Sequence, residues 1–163
     1  MTDPFTQCSR AILSALQGDA GWAALVKPGN VVDMTAHSFE QFKSRLMPAD
    51  VPEAILLQGE FRLKPFGSSS RIAEMEQSFQ LIVTHDSLRV RPVNQLKYQT
   101  LIALAKSGPT LGFDGLVRGW EIMQGDDDAL GQKHWRRGTQ RWVSVLTIRV
   151  SLYVPREKLV LSS

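Results

Sequence analysis

The chain predicts an α+β domain. It would hold one mostly antiparallel sheet, with two amphipathic helices packed on one face, in the order α-β-β-β-α-β-β. Three observations carry that expectation. Residues 139–154, TQRWVSVLTIRVSLYV, alternate with a period of two, Trp142, Ser144, Leu146, Ile148, Val150, Leu152 and Val154 on one side and Arg141, Thr147, Arg149, Ser151 and Tyr153 on the other. Residues 54–64 and 74–85 repeat the pattern across a short polar loop, which reads as an antiparallel hairpin with one solvated face. Two segments instead space their apolar residues by three and four, as helices do.

Taken in order, Asp3-Pro4 marks a helix start: Asp3 can accept from the free backbone donors and Pro4 has the φ of a first helical residue. Phe5, Cys8, Ile12 and Leu16 give this helix its stripe, and Gln17-Gly18 ends it. Asp19 is placed to cap a second short turn at residues 20–26, carrying Trp22 and Leu25. Lys27-Pro28-Gly29-Asn30 is a turn by composition, residues 31–34 a short strand, and residues 35–47 a short helix from the spacing of Phe39, Phe42 and Leu46.

Pro48 and Pro52 precede the first hairpin strand, in which Ile55, Leu57, Phe61 and Leu63 are expected to be buried. In the second, Met75, Phe79, Leu81 and Val83 take that role, opposite Glu74, Glu76, Ser78, Gln80 and Thr84. Pro92 is expected to open a helix ending at Lys106, with Val93, Leu96, Thr100, Leu101 and Leu104 as its stripe. Residues 115–123 read as another strand, and residues 124–138, which include Asp126, Asp127 and Asp128, as a polar loop. The last strand, ended by Pro155, would span about 50 Å at ~3.3 Å per residue. Such length predicts a bulge, or a part near residues 139–142 that projects from the domain.

With 163 residues the chain suits one domain, residues 1–163, burying roughly two thirds of its unfolded surface. Hydrophobic residues at 43% and charged residues at 21% are ordinary for a globular protein. A formal charge of +3 permits an acidic partner without demanding nucleic acid. The single cysteine, Cys8, cannot form an internal disulfide and suits a reducing compartment; on the first helix's stripe it reads as a buried thiol. No run approaches the ~18 apolar residues of a membrane span, and residues 1–10 do not resemble a signal peptide, so a soluble, cytosolic protein is expected.

A catalytic or metal-binding signature is not found, and neither an enzyme, a cofactor nor a metal is expected. His37, His85 and His134 have no second ligand at zinc spacing. The three consecutive aspartates lack the oxygen spacing of a calcium loop. Gly108, Gly112, Gly115 and Gly119 do not match a phosphate-binding fingerprint and read as turns and a bulge. The most concentrated positive charge is Lys133, His134, Arg136 and Arg137, with Arg141 beyond and Trp135 and Trp142 interleaved. These seven residues are the candidate site, with three readings open. Trp and Arg favour a protein interface. The pattern also suits a solvated hairpin anchored by its tryptophans, or base stacking on nucleic acid, which the nearby acids would oppose.

Several stretches, taken together, resemble the tail terminator or tail-completion proteins of long-tailed bacteriophages. They are ILSALQGDAGWAALV with NVVDM, then MPADVPEAILLQGEF, QSFQLIVTHDS, NQLKYQTLIALAKSG and RWVSVLTIRVSLYV, covering nearly the whole chain. Residues 35–47 and the loop 124–138 are longer than in the shortest members. The resemblance implies a structural virion protein located at the head-proximal end of the tail and assembled in the host cytoplasm. Its implied partners are further copies of itself in a ring, a hexamer, together with the tail tube protein, the head connector or neck protein, and genomic DNA passing the channel non-specifically. It implies no membrane. A head–tail connector subunit of similar fold is the alternative, and a nucleic-acid-binding accessory domain a more distant one.

Overall fold

A computed structural model of the chain describes residues 3–34, 52–85, 90–128 and 142–157. Helix α1 (Pro4–Gln17) is followed by the short α2 (Ala20–Leu25), a 3-10 turn at Pro28–Asn30 and strand β1 (Val31–Asp33). Strands β2 (Glu53–Leu63) and β3 (Ile72–His85), helix α3 (Val90–Lys106), and strands β4 (Val117–Asp128) and β5 (Trp142–Pro155) complete the fold. The expected α+β class and element order hold, with α2 added.

Both caps form as their residue types dictate. The Asp3 carboxylate accepts from the Thr6 N–H at 2.8 Å, and Asp19 accepts from the Trp22 N–H at 2.8 Å. Helix α3 starts at Val90 rather than at Pro92. Nothing forbids this, because the first four amides of a helix have no helical partner and proline there removes no bond.

The five strands form one sheet in the order β1-β2-β3-β5-β4. Three pairings are antiparallel, but β1 lies parallel to β2, so the sheet is mixed rather than mostly antiparallel. A parallel neighbour needs a connection of a dozen residues or more, and the chain between Asp33 and Glu53 supplies it. The short helix expected at residues 35–47 lies outside the described residues.

The projection expected near residues 139–142 falls, but for Trp142, outside the described residues. Strand β5 carries no bulge from Trp142 to Pro155. All 14 of its residues pair with the 14 of β3, from Ile72↔Pro155 to His85↔Trp142. Bulges fall instead in the neighbours, in β2 between Gln58 and Phe61 and in β4 beside Gly119 and again before Gln124. Trp142 therefore lies within the sheet, and Pro155 is the strand's last residue rather than a stop beyond it. Strand β4 also runs through Asp126, Asp127 and Asp128, which the sequence placed in a loop. They pair with Val145, Ser144 and Val143 of β5, in the strand at the sheet's margin.

The helices cover one face. Ile12, Leu16, Trp22, Leu96 and Leu104 pack there against Leu56, Phe79, Leu81, Ile148, Val150 and Leu152, all fully buried. Leu101, expected in the α3 stripe, is exposed, and Ala103 is buried in its place. Trp22 Nε1–H donates to Thr100 Oγ1 at 3.0 Å, which explains a buried hydroxyl amid leucines. On the opposite face a smaller cluster of Val32, Met34, Ile55, Ile82 and Val145 sits near the start of β2. After α3, Gly108, Gly112 and Gly115 take φ of +78°, +72° and +84°. These are turn conformations that glycine adopts without a Cβ penalty. Gly119 lies at the first β4 bulge, as its spacing suggested.

Candidate assembly interface

The apolar alternation of β2 does not give uniform burial. Ala54 and Leu56 enter the main core while Ile55 enters the second cluster, so this half is buried on both faces. Past the bulge, Phe61 pairs with Gln77 and Leu63 with Met75 on the helix side of the sheet, yet they remain 48% and 51% exposed. The expectation that both are buried is wrong, because β2 outruns the helices above it. Phe61 packs edge-on against Phe5 at the start of α1, ring centroids 5.5 Å apart. Ile72 and Phe66, nearby in the hairpin, are also exposed.

The bulge is held by polar groups. The buried Gln77 amide donates to Gly59 O at 3.0 Å and Glu60 O at 3.2 Å, and Ser78 Oγ donates to Glu60 O at 2.9 Å. At Gly59 a Cβ would stand 3.3 Å from Ser78 O, so the glycine admits the close approach of β3.

The other face of this half is charged. Arg149 of β5 pairs with Glu76 at 3.7 Å and bonds Glu121 of β4. The Glu121 bond, with both carboxylates nearby, raises the guanidinium's pKa further. Lys64 Nζ donates to Glu74 at 2.8 Å; that bond lowers the pKa of Glu74 and raises that of Lys64. Arg62 donates to Glu60 at 3.0 Å, and the Arg118 guanidinium lies 4.8 Å from the Tyr153 ring. Between them lies an open trough of about 200 Å³ lined by Arg62, Glu76, Gln124, Thr147 and Arg149. Its charges are paired with one another, Arg62 with Glu60 and Arg149 with Glu76 and Glu121.

Cys8 is fully buried, and desolvation, followed by the Asp3 charge, pushes its thiol up to about 12, leaving it unreactive at neutral pH. Among the described residues no group of three or more His, Cys, Asp or Glu could hold a metal ion, and no helix is long and apolar enough to cross a membrane.

Lys133, His134, Trp135, Arg136, Arg137 and Arg141 lie outside the described residues. Trp142 is placed by its backbone alone, opposite His85. The seven-residue candidate site therefore lies, but for the Trp142 backbone, outside the described residues. Among the described residues, Phe61, Arg62 and Leu63 are exposed at one margin of the sheet, and at the other Glu121 is exposed between the partly buried Trp120 and Ile122 of β4. The glycine of LQGEF was a usable signal for the first, and the glycines flanking WEIMQ for the second.

No family model matches the chain, and no curated protein matches it. Among solved structures it is similar to a chain of the "Virion of native gene transfer agent (GTA) particle", at 16% identity and a TM-score of 0.60. The likeness covers 90% of this chain and 94% of that one. At that identity it shows the fold.

Proposed function

We propose that this chain is a virion structural protein of the tail terminator type. In this reading copies of it form a ring at the head-proximal end of a phage-like tail, stop polymerisation of the tail tube and present a surface to the head connector. The observation that carries the reading is the fold shared, over nine tenths of the chain, with a chain of a gene transfer agent virion. The sequence resemblance to tail terminators points the same way, and the exposed half of β2, with paired charges on one side and apolar residues on the other, suits a subunit contact. The physical role is edge management: a growing tube offers binding groups to each new layer, and a terminator covers them without offering the same surface again. A closed ring requires heterologous contacts related by rotation. DNA in its channel would be met without sequence reading, which a net charge of +3 tolerates.

The test adds the purified protein to polymerising tail tube protein and follows tube length by electron microscopy and subunit number by light scattering. The expected result is short, capped tubes and a particle of roughly six copies, as the resemblance implies for a closed cyclic ring. A monomer that neither binds tube nor halts its growth overturns the proposal. A ring that binds only the head connector would assign the chain to the connector class instead.

A further inference from the structure

We infer that neighbouring copies join edge to edge, the free edge of β2 in one copy pairing antiparallel with the free edge of β4 in the next. The contact has Phe61 opposite Ile122, Arg62 opposite Glu121 and Leu63 opposite Trp120. This deepens the ring reading and rests on it.

Direction supports the antiparallel pairing, and parity and side-chain chemistry select the register within it. Strand β2 runs with β5 and against β3 and β4, so copies related by rotation about an axis along the strands bring β4 and β2 together antiparallel. Among the described residues, β1 covers β2 only at Ala54, Ile55 and Leu56, and no strand lies outside β4. The two edges overlap in level, Leu63 with Val117 and Phe61 with Trp120. The proposed register thus sets neighbours about two residues out of level, as strands tilted somewhat from that axis are.

The second is hydrogen-bonding parity. The Lys64 N–H donates to Glu74 O at 3.0 Å, so Lys64 and Arg62 turn their backbone groups toward β3. By the alternation of antiparallel ladders, Phe61 and Leu63 turn theirs to the free edge. On the other side the Tyr153 N–H donates to Leu116 O at 3.1 Å, so Tyr153, Ser151 and Arg149 face β4. Their partners Gly119 and Glu121 therefore face inward, leaving Trp120 and Ile122 outward. The residues proposed to pair are those whose backbone groups point away from the neighbouring strand of their own copy.

The third is side-chain chemistry. Phe61 and Leu63 share the helix side of the sheet with Trp120 and Ile122, which are only partly buried. Arg62 and Glu121 lie on the charged face. The register sets apolar beside apolar and cation beside anion. A slip of one residue reverses every face, and a slip of two sets Leu63 against Arg118.

The test mixes two single variants, Phe61→Cys and Ile122→Cys, under mild oxidation, at the highest soluble concentration and again with tail tube. A hydrogen-bonded antiparallel pair places Cα atoms about 5.5 Å apart, within disulfide reach, and the buried Cys8 thiol does not compete. The expected result is a cross-linked dimer in the mixture only, and a ladder closing at the ring size in the double variant. Arg62→Glu should lower association roughly 10-fold at low salt, the effect fading near 1 M salt. A ring by light scattering without the 61–122 cross-link overturns this contact and leaves the ring reading standing. Absence of both ring and cross-link overturns both. A cross-link equal to that of a Leu101→Cys control also overturns it.

Discussion

Strand β2 has two halves with one sequence pattern and opposite fates. From Glu53 to Leu56 every residue is buried, by the helices on one side and the Val32–Ile82 cluster on the other. From Phe61 to Leu63 the same apolar alternation stands half in solvent. A bulge separates them, and the helix layer ends over it. Alternation therefore encodes that neighbours point to opposite faces, not which face each takes beyond a bulge, since Ile55 faces the second cluster and Phe61 the helix side. Nor does it encode whether anything lies above a side chain. An apolar residue that points at nothing is a candidate contact for another molecule.

The largest expected effect contrasts the halves directly. Leu56→Ala should cost about 2–5 kcal/mol, as for a fully enclosed leucine whose cavity cannot collapse, read as a lower urea midpoint with unchanged slope. A cost below about 1 kcal/mol would mean the near half is as loosely packed as the far half.

Second in size is the hinge between them. Gln77→Leu leaves Gly59 O without a donor while Glu60 O keeps Ser78 Oγ, and should cost about 1–3 kcal/mol. Gln77→Glu should be similarly poor, since a carboxylate cannot donate. Wild-type stability in the leucine variant would show that the bulge is held by strand pairing alone.

Much of this was legible in advance, for stated reasons. The β5 pattern named its core residues because β5 is interior and covered along the stretch. Asp3 and Asp19 could be read as caps because short acceptors before an apolar stripe have few other uses. Residues 126–128 misled because aspartate is poor in strands, a preference that changes with position and is weaker in an edge strand. Phe61 and Leu63 misled because the length of a covering helix is a tertiary fact, absent from the strand's own residues. The bulge at Gly59 was hinted at by a glycine in a strand pattern, but the glutamine that holds it lies 18 residues away.

The cover itself can be loosened by acid. The Asp19 carboxylate accepts from Trp22 N–H, Gln99 Nε2 and Lys106 Nζ, tying α2 to α3, and these bonds, the backbone one first, lower its pKa. A carboxyl lowered in the folded state contributes stability above its unfolded value, lost as pH falls through the folded one. The difference in melting temperature between wild type and Asp19→Asn should therefore be present at neutral pH and shrink below the usual carboxylate range. A difference independent of pH would assign the effect to shape rather than charge.

The smallest expected effect is the sharpest test of the comparison. Leu63→Ser should change the stability of the isolated protein by no more than about 0.5 kcal/mol, because half its surface is already in water. Phe61→Ser should cost somewhat more, since it also gives up the edge-on contact with Phe5. Both measurements belong at a dilution where light scattering reports single copies. Should Leu63→Ser there cost what Leu56→Ala does, the far half is covered within the chain itself, and the edge is not free to pair. Should the cost emerge only as concentration rises, the missing cover is supplied by another copy.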